Sequence, residues 1–234
     1  MKSPAMTARD RLIVALDFPT PAKALALVSV LSGSVSIYKV GLQLYTAAGP
    51  AIVQAVAATG AKIFLDLKLH DIPNTVAKAV AAAGDLGVQM LTVHLAGGGA
   101  MLKAAVEAAP PHLLLLGVTV LTSATQETLE ETGVGCEIRD QVLRLADLGK
   151  KSGIGGLITS PQEVGLLRER LGSQIALITP GVRPAWAAAD DQKRFSTPAE
   201  ALKAGADYLV VGRPITAAED PGAAAERLLA EMAI

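Results

Sequence analysis

Charged residues stand where apolar runs should exclude them. Asp66 and Lys68 close the run AKIFLDLK at 61–68, Lys39 lies inside VSIYKVG at 35–41, and Asp17 ends RLIVALD at 11–17. In an extended strand residues i and i+2 share a face, so Asp66 and Lys68 point together while Leu65 and Leu67 face the other way. Asp71 follows beyond that strand, on a turn whose Pro73 is suited to start a helix. A single ionisable group in such a place is as readily an ion pair of the fold. Several opposite charges converging on one place favour a site, because burying charge is costly unless the charges are paired or used. An ammonium held between two carboxylates stays protonated near neutral pH. It is a proton donor rather than a Schiff-base nucleophile, which needs a depressed pKa.

The elements that would position these groups repeat along the chain. Runs of β-branched residues and leucine lie at 11–17, 35–41, 61–68, 88–95, 112–120, 153–160, 174–180 and 207–213. Between most of them are alanine- and leucine-rich segments of helical spacing, such as PAKALALVSVL, GPAIVQAVAATG and NTVAKAVAAAGDLG, each opening near Pro, Ser, Thr or Asn. Gly60-Ala61, Gly87-Val88 and Gly205-Ala206 each read as a helix C-cap glycine leading into the next strand. This alternation predicts an α/β chain of parallel strands with crossover helices. Eight strands favour the (β/α)8 TIM barrel, whose site is built at the C-terminal strand ends. Those ends carry Asp17, Lys39, Asp66 with Lys68, His94, Thr119 to Ser123, Thr159-Ser160, Pro180 to Arg183, and Gly212-Arg213. An open dinucleotide-binding sheet would place a G-x-G-x-x-G phrase after an early strand, where this chain has Asp17-Phe18-Pro19. Gly97-Gly98-Gly99 reads as room for backbone at a helix start.

The 234 residues are close to the roughly 250 of one barrel and contain no low-complexity hinge, so a single domain spanning 1–234 is expected. Hydrophobic residues make up 51% and aromatics only 3%, so the core must be aliphatic. A formal net charge of -1 gives no general attraction for nucleic acid or an anionic membrane, which leaves a small-molecule partner. Cys136 is the only cysteine, without disulfide partner or zinc-ligand spacing. The charged start MKSPAMTARDRL does not read as a signal peptide, and no apolar stretch approaches the roughly 18 residues of a membrane span. A cytoplasmic protein is expected.

Taken in order, VALD, YKVG around Lys39, FLDLKLHDIPNT from Phe64 to Thr75, VTVLTS from Val118 to Ser123, ITPGVRP from Ile178 to Pro184, the Gln192 region and YLVVGRP from Tyr208 to Pro214 resemble the orotidine 5′-monophosphate decarboxylase family. The resemblance runs from about Leu12 to Pro221. It implies a cofactor-free and metal-free lyase in which Lys68 protonates C6 of the pyrimidine as carbon dioxide leaves and Asp66 lies against the departing carboxylate. Lys39 would join both in a charged network and reach the ribose, as would Asp17. The stretch Asp66, Leu67, Lys68, Leu69, His70, Asp71, Ile72, Pro73, Asn74 and Thr75 would border the nucleotide. Thr122 would contact the pyrimidine, and Arg183, Gln192, Gly212 and Arg213 the phosphate. The resemblance also implies a homodimer in which Asp71 enters the partner's site.

Loop 181–195 is long and polar enough to close over a phosphate. His70 and His94 read as structural rather than metal ligands, His112 as superficial, Cys136 as inert and Trp186 as a cover for the loop. Two rival functions stand beside the decarboxylase. One is a metal-dependent sugar-phosphate decarboxylase or aldolase sharing the D-x-K-x-x-D phrase; the other is a nucleotide-binding barrel without chemistry.

Overall fold

Each predicted run holds one strand, the third extending one residue past its run: β1 Leu12–Ala15, β2 Ile37–Gly41, β3 Lys62–Leu69, β4 Met90–His94, β5 Leu114–Val118, β6 Gly156–Ile158, β7 Ala176–Pro180 and β8 Tyr208–Val211. In the computed structural model, which describes residues 6–186 and 196–233, these strands pair in sequence order. All pairs are parallel, and β8 returns to β1 to close the barrel. The predicted (β/α)8 architecture is therefore the observed one.

The helices begin where the sequence sets φ in advance. Pro21, Pro50 and Pro73 open the helices Pro21–Leu31, Pro50–Ala57 and Pro73–Asp85, where a missing N–H costs nothing. The last of these buries Val76, Val80, Ala83 and Gly84, a stripe at spacings of four and three that faces the sheet. Gly60, Gly87 and Gly205 have φ of 86°, 74° and 111°, the left-handed exit expected before the next strand.

Strands in a closed parallel barrel are covered on both faces, so alternate residues enter two apolar layers. Inside the barrel lie Ile13, Ala15, Ile37, Phe64, Met90, Leu116, Ile178 and Val210, all buried. Outward-facing neighbours such as Val14, Val40, Leu65 and Leu91 pack under the helices. One inward step beyond the apolar layer, toward the C-terminal strand ends, the side chains become polar: Lys39 follows Ile37, Asp66 follows Phe64, and Thr92 and His94 follow Met90. The barrel is thus an apolar plug with a charged layer on top.

One pair of strands breaks the regular ladder. β3 and β4 are in register at Leu65↔Leu91, but the next pairing is Leu69↔Val93, so β3 advances four residues while β4 advances two. Lys68, inside this bulge, is the one non-glycine residue with positive φ, 50°, among the described residues. No helix among those residues is long and apolar enough to cross a membrane.

Candidate active site

Asp66 is the hub of the charged layer. Its carboxylate accepts from Lys68 Nζ through both oxygens, at 2.8 and 2.9 Å. Lys39 Nζ stands 3.6 Å from Asp66 Oδ2 and bonds Asp17 Oδ1 at 3.0 Å. The order Asp17–Lys39–Asp66–Lys68 alternates in sign, so each inner charge has an opposite neighbour on either side. Burial by itself would raise the Asp66 pKa. The Lys39 and Lys68 ammonium groups, with hydrogen bonds from Lys68 and Thr92, outweigh it and hold the carboxyl below its usual range. Asp66 is an anion at neutral pH.

The expected sharing of a face by Asp66 and Lys68 is observed, though regular alternation is not what delivers it. Lys68 reaches Asp66 from the left-handed residue of a bulge, a device that re-aims a side chain. Room for Lys39 comes from Gly41. A Cβ there would lie 2.8 Å from Lys39 Nζ and 3.2 Å from Asp17 Oδ1, so any side chain would displace the ammonium.

Two adjoining cavities open at this layer. One, of about 160 Å³, is lined by Lys39, Asp66 and Lys68, by apolar residues including Val118, Leu121, Ile158 and Pro180, and by Thr122. The second, of about 230 Å³, is lined by Asp17, Arg183, Gly212 and Arg213. Lys39, Pro180 and Val210 belong to both, so the cavities share a wall. Arg213 lies at the site end of the barrel, beside Arg183 and Gly212. A reacting group in the first cavity meets a fixed ammonium in apolar surroundings, where charge is screened least. An anionic group in the second meets two guanidinium groups.

The remaining expected residues are more scattered. Asp71 lines neither cavity. Its Oδ1 accepts from the Ile72 N–H at 2.6 Å, and it borders a third depression with Leu67, Lys68, Leu69, His70 and Thr75, which meets the first cavity at Lys68. Residues 70–75, including Ile72, Pro73 and Asn74, are exposed. Gln192 and the loop segment 187–195 lie outside the described residues. Thr159 and Ser160 stand at a strand end but line neither cavity; the Ser160 N–H donates to Glu163 at 3.1 Å.

The His70 and His94 rings are 5.6 Å apart. Burial first, then the His70 ring and the Lys68 ammonium, lower the His94 pKa, with Asp66 opposing. Among the described residues no three His, Cys, Asp or Glu side chains gather as a metal site. The Cys136 thiol donates to Gln141 Oε1 at 3.6 Å, and the Cys136 carbonyl accepts from Gln126 Nε2 at 3.2 Å. Trp186 is pinned by Arg227, whose guanidinium carbon lies 4.7 Å from the ring centroid.

Thr92 and Gly41 were not singled out by inspection of strand ends. Thr92 could have been found by following the inward face of β4 through Met90 to His94. Gly41 carries no chemistry of its own, and only three-dimensional crowding gives it a role.

A sequence profile of the orotidine 5′-phosphate decarboxylase / HUMPS family matches residues 10–228. A protein of Syntrophotalea carbinolica named orotidine 5′-phosphate decarboxylase is 51% identical over 234 residues, covering 97% of this chain and 96% of the relative. One of the same name from Halorhodospira halophila is 54% identical over 226 residues, covering 95% and 96%. The crystal structure of orotidine 5′-phosphate decarboxylase from Lactobacillus acidophilus superposes with a TM-score of 0.85 at 39% identity, covering 96% of this chain and all of that one. With agreement in sequence and fold over nearly its whole length, the chain belongs to the orotidine 5′-phosphate decarboxylase / HUMPS family.

Proposed function

We propose that the protein converts orotidine 5′-monophosphate to uridine 5′-monophosphate and carbon dioxide in pyrimidine biosynthesis, without metal or organic cofactor, in the cytoplasm. The observation that carries this reading is the Lys39–Asp66–Lys68 network facing an apolar cavity that shares a wall with an arginine-lined one. The nucleotide's phosphate occupies the second cavity, held by Arg183, Arg213 and amides near Gly212, with Gln192 as a further partner. Its ribose lies against Asp17 and Lys39, and its pyrimidine enters the first cavity beside Thr122.

Loss of carbon dioxide leaves an electron pair at C6 in the plane of the ring, where no adjacent π-system accepts it. Lys68 stabilises that charge as it forms and donates its proton to C6, which completes the product. Asp66 holds the ammonium in place before reaction and lies beside the departing carboxylate. One opposite charge at ~4 Å contributes ~4 kcal/mol at an effective dielectric of ~20, while the largest rate enhancements need ~23 kcal/mol or more. Lys68 alone is therefore insufficient. Preorganised charge, proton delivery and binding energy from the non-reacting phosphate act together.

The working unit in this reading is a homodimer, with Asp71 completing the partner's site. The exposed run 70–75, with Ile72 at 66% exposure, supports an interface there. The deciding experiment follows the absorbance change of orotidine 5′-monophosphate with purified protein in excess chelator. Turnover to uridine 5′-monophosphate is expected. Activity only with added divalent metal would favour the metal-dependent alternative, and binding without turnover the non-catalytic one. Lys68→Ala and Asp71→Ala proteins, each inactive alone, should regain activity when mixed under subunit exchange; silence of the mixture with exchange demonstrated would remove the shared site.

A further inference from the structure

Thr92 has no part in the reaction as described, yet it is a fully buried hydroxyl inside the barrel, one inward position beyond Met90. Buried hydroxyls are accounted for by their partners, and both of its partners belong to the site. The Lys68 backbone N–H donates to Thr92 Oγ1 at 2.8 Å, and Oγ1 stands 2.9 Å from Asp66 Oδ1. The amide has only a proton to give, so the hydroxyl accepts from it. The hydroxyl's single hydrogen is then left for the Asp66 carboxylate, which is an anion and only accepts.

The bulge explains why such a bridge is needed. Between Leu65 and Leu69 the regular ladder to β4 is interrupted, and the Lys68 amide points to the Thr92 side chain instead of a β4 carbonyl. Lys68 also carries a left-handed backbone, which is unfavourable for a non-glycine residue unless its surroundings fix it. Meanwhile Asp66 has a second cation within reach, Lys39 at 3.6 Å from Oδ2. Without the Thr92 proton on Oδ1, the carboxylate could turn toward Lys39 and draw Lys68 after it.

We propose that Thr92 is a positioning residue for the decarboxylation: one hydroxyl ties the bulged backbone of Lys68 to the orientation of Asp66, so that ammonium and carboxylate are set before substrate arrives. The inference rests on the assignment of Lys68 as the proton donor. Because Thr92 borders neither cavity, its loss should reach the chemical step and leave binding alone.

The test compares wild type with Thr92→Val, which keeps the shape and removes the hydroxyl, and Thr92→Ser, which keeps the hydroxyl. Thr92→Val should lower kcat by about 10- to 100-fold, the scale of a sub-ångström to ångström misplacement, with KM and the affinity for uridine 5′-monophosphate within about threefold. Thr92→Ser should return kcat to within about threefold of wild type. Unchanged kcat in Thr92→Val, equal impairment in both variants, or a loss confined to KM would each overturn the proposal. If Thr92→Val does not fold, Thr92→Ala is measured in its place, and wild-type kcat in that variant is equally fatal. A wild-type protein that binds the nucleotide but does not turn it over defeats the decarboxylase reading itself, whereas active wild type with an indifferent Thr92→Val defeats only the role of Thr92.

Discussion

Lys39 and Lys68 bring the same charge to the same cavity from strands built on different terms. Lys39 sits in an unbroken ladder, opposite Ala15 on β1 and Phe64 on β3, and its carbonyl accepts from the Leu16 N–H at 2.9 Å. Lys68 lies inside the bulge, left-handed, with its amide on a side chain. A regular ladder fixes a side chain through many weak, redundant bonds, while a bulge directs it through a few specific ones. Lys39 is thus an anchor spanning both cavities, and Lys68 is a group aimed at one point in the first.

The sharpest way to break this comparison is to remove each lysine in turn. Lys68→Ala should reduce kcat by on the order of 10⁴-fold or more, since it removes both the proposed proton donor and a stabilising charge, while the protein stays folded. Lys39→Ala should cost less in kcat, about 10²- to 10³-fold, and should also raise KM because Lys39 borders the arginine-lined cavity. Steady-state kinetics with circular dichroism as a check on folding decide the matter. Near-normal turnover in Lys68→Ala would remove the proposed donor, and a larger kcat loss in Lys39→Ala would reverse the assignment.

Gly41→Ala perturbs the anchor without touching its charge. The new methyl would meet Lys39 Nζ and Asp17 Oδ1, both ends of side chains that are able to move. Stability should change by no more than ~1 kcal/mol, while activity should fall by about tenfold as the Lys39–Asp17 bond is displaced. A variant with full activity would show that Lys39 tolerates a shift of position.

The sequence made the anchor more legible than the aim. Alternation alone puts Lys39 above Ile37 and Asp66 above Phe64, because apolar and polar positions share one inward face and the parity of a strand is hard to misread. The eight strands were legible because their apolar runs are short and separated by segments of helical spacing, several of which open on proline or close on a left-handed glycine. The bulge was not. Nothing in the residue types of FLDLKLHD announces two extra residues against β4, since a slip depends on the partner strand and on a threonine 24 positions beyond Lys68. The crowding around Gly41 was hidden too, because it is set by where a lysine on the same strand folds back to meet Asp17.

The smallest effect concerns the charge both lysines share. Asp66 is held below its ordinary pKa of 3.8, with burial opposing and the two ammonium groups prevailing. A carboxyl whose pKa is lowered by folding contributes stability that is present above the unfolded value and lost as pH falls through the folded one. Stability measured by urea unfolding should therefore decline as pH drops from about 5 into the region below the ordinary carboxylate value. Removing either cation leaves burial less opposed, so the folded pKa of Asp66 rises and the contribution shrinks or changes sign. In Lys68→Met the acid decline should be smaller than in wild type, or reversed. Lys39→Met should move it in the same direction, although without the hydrogen bonds that Lys68 alone makes to both carboxylate oxygens its shift rests on charge alone. Parallel pH curves for all three proteins would mean that Asp66 is not held ionised by these lysines, and the difference between anchor and aimed group would then be one of backbone geometry only.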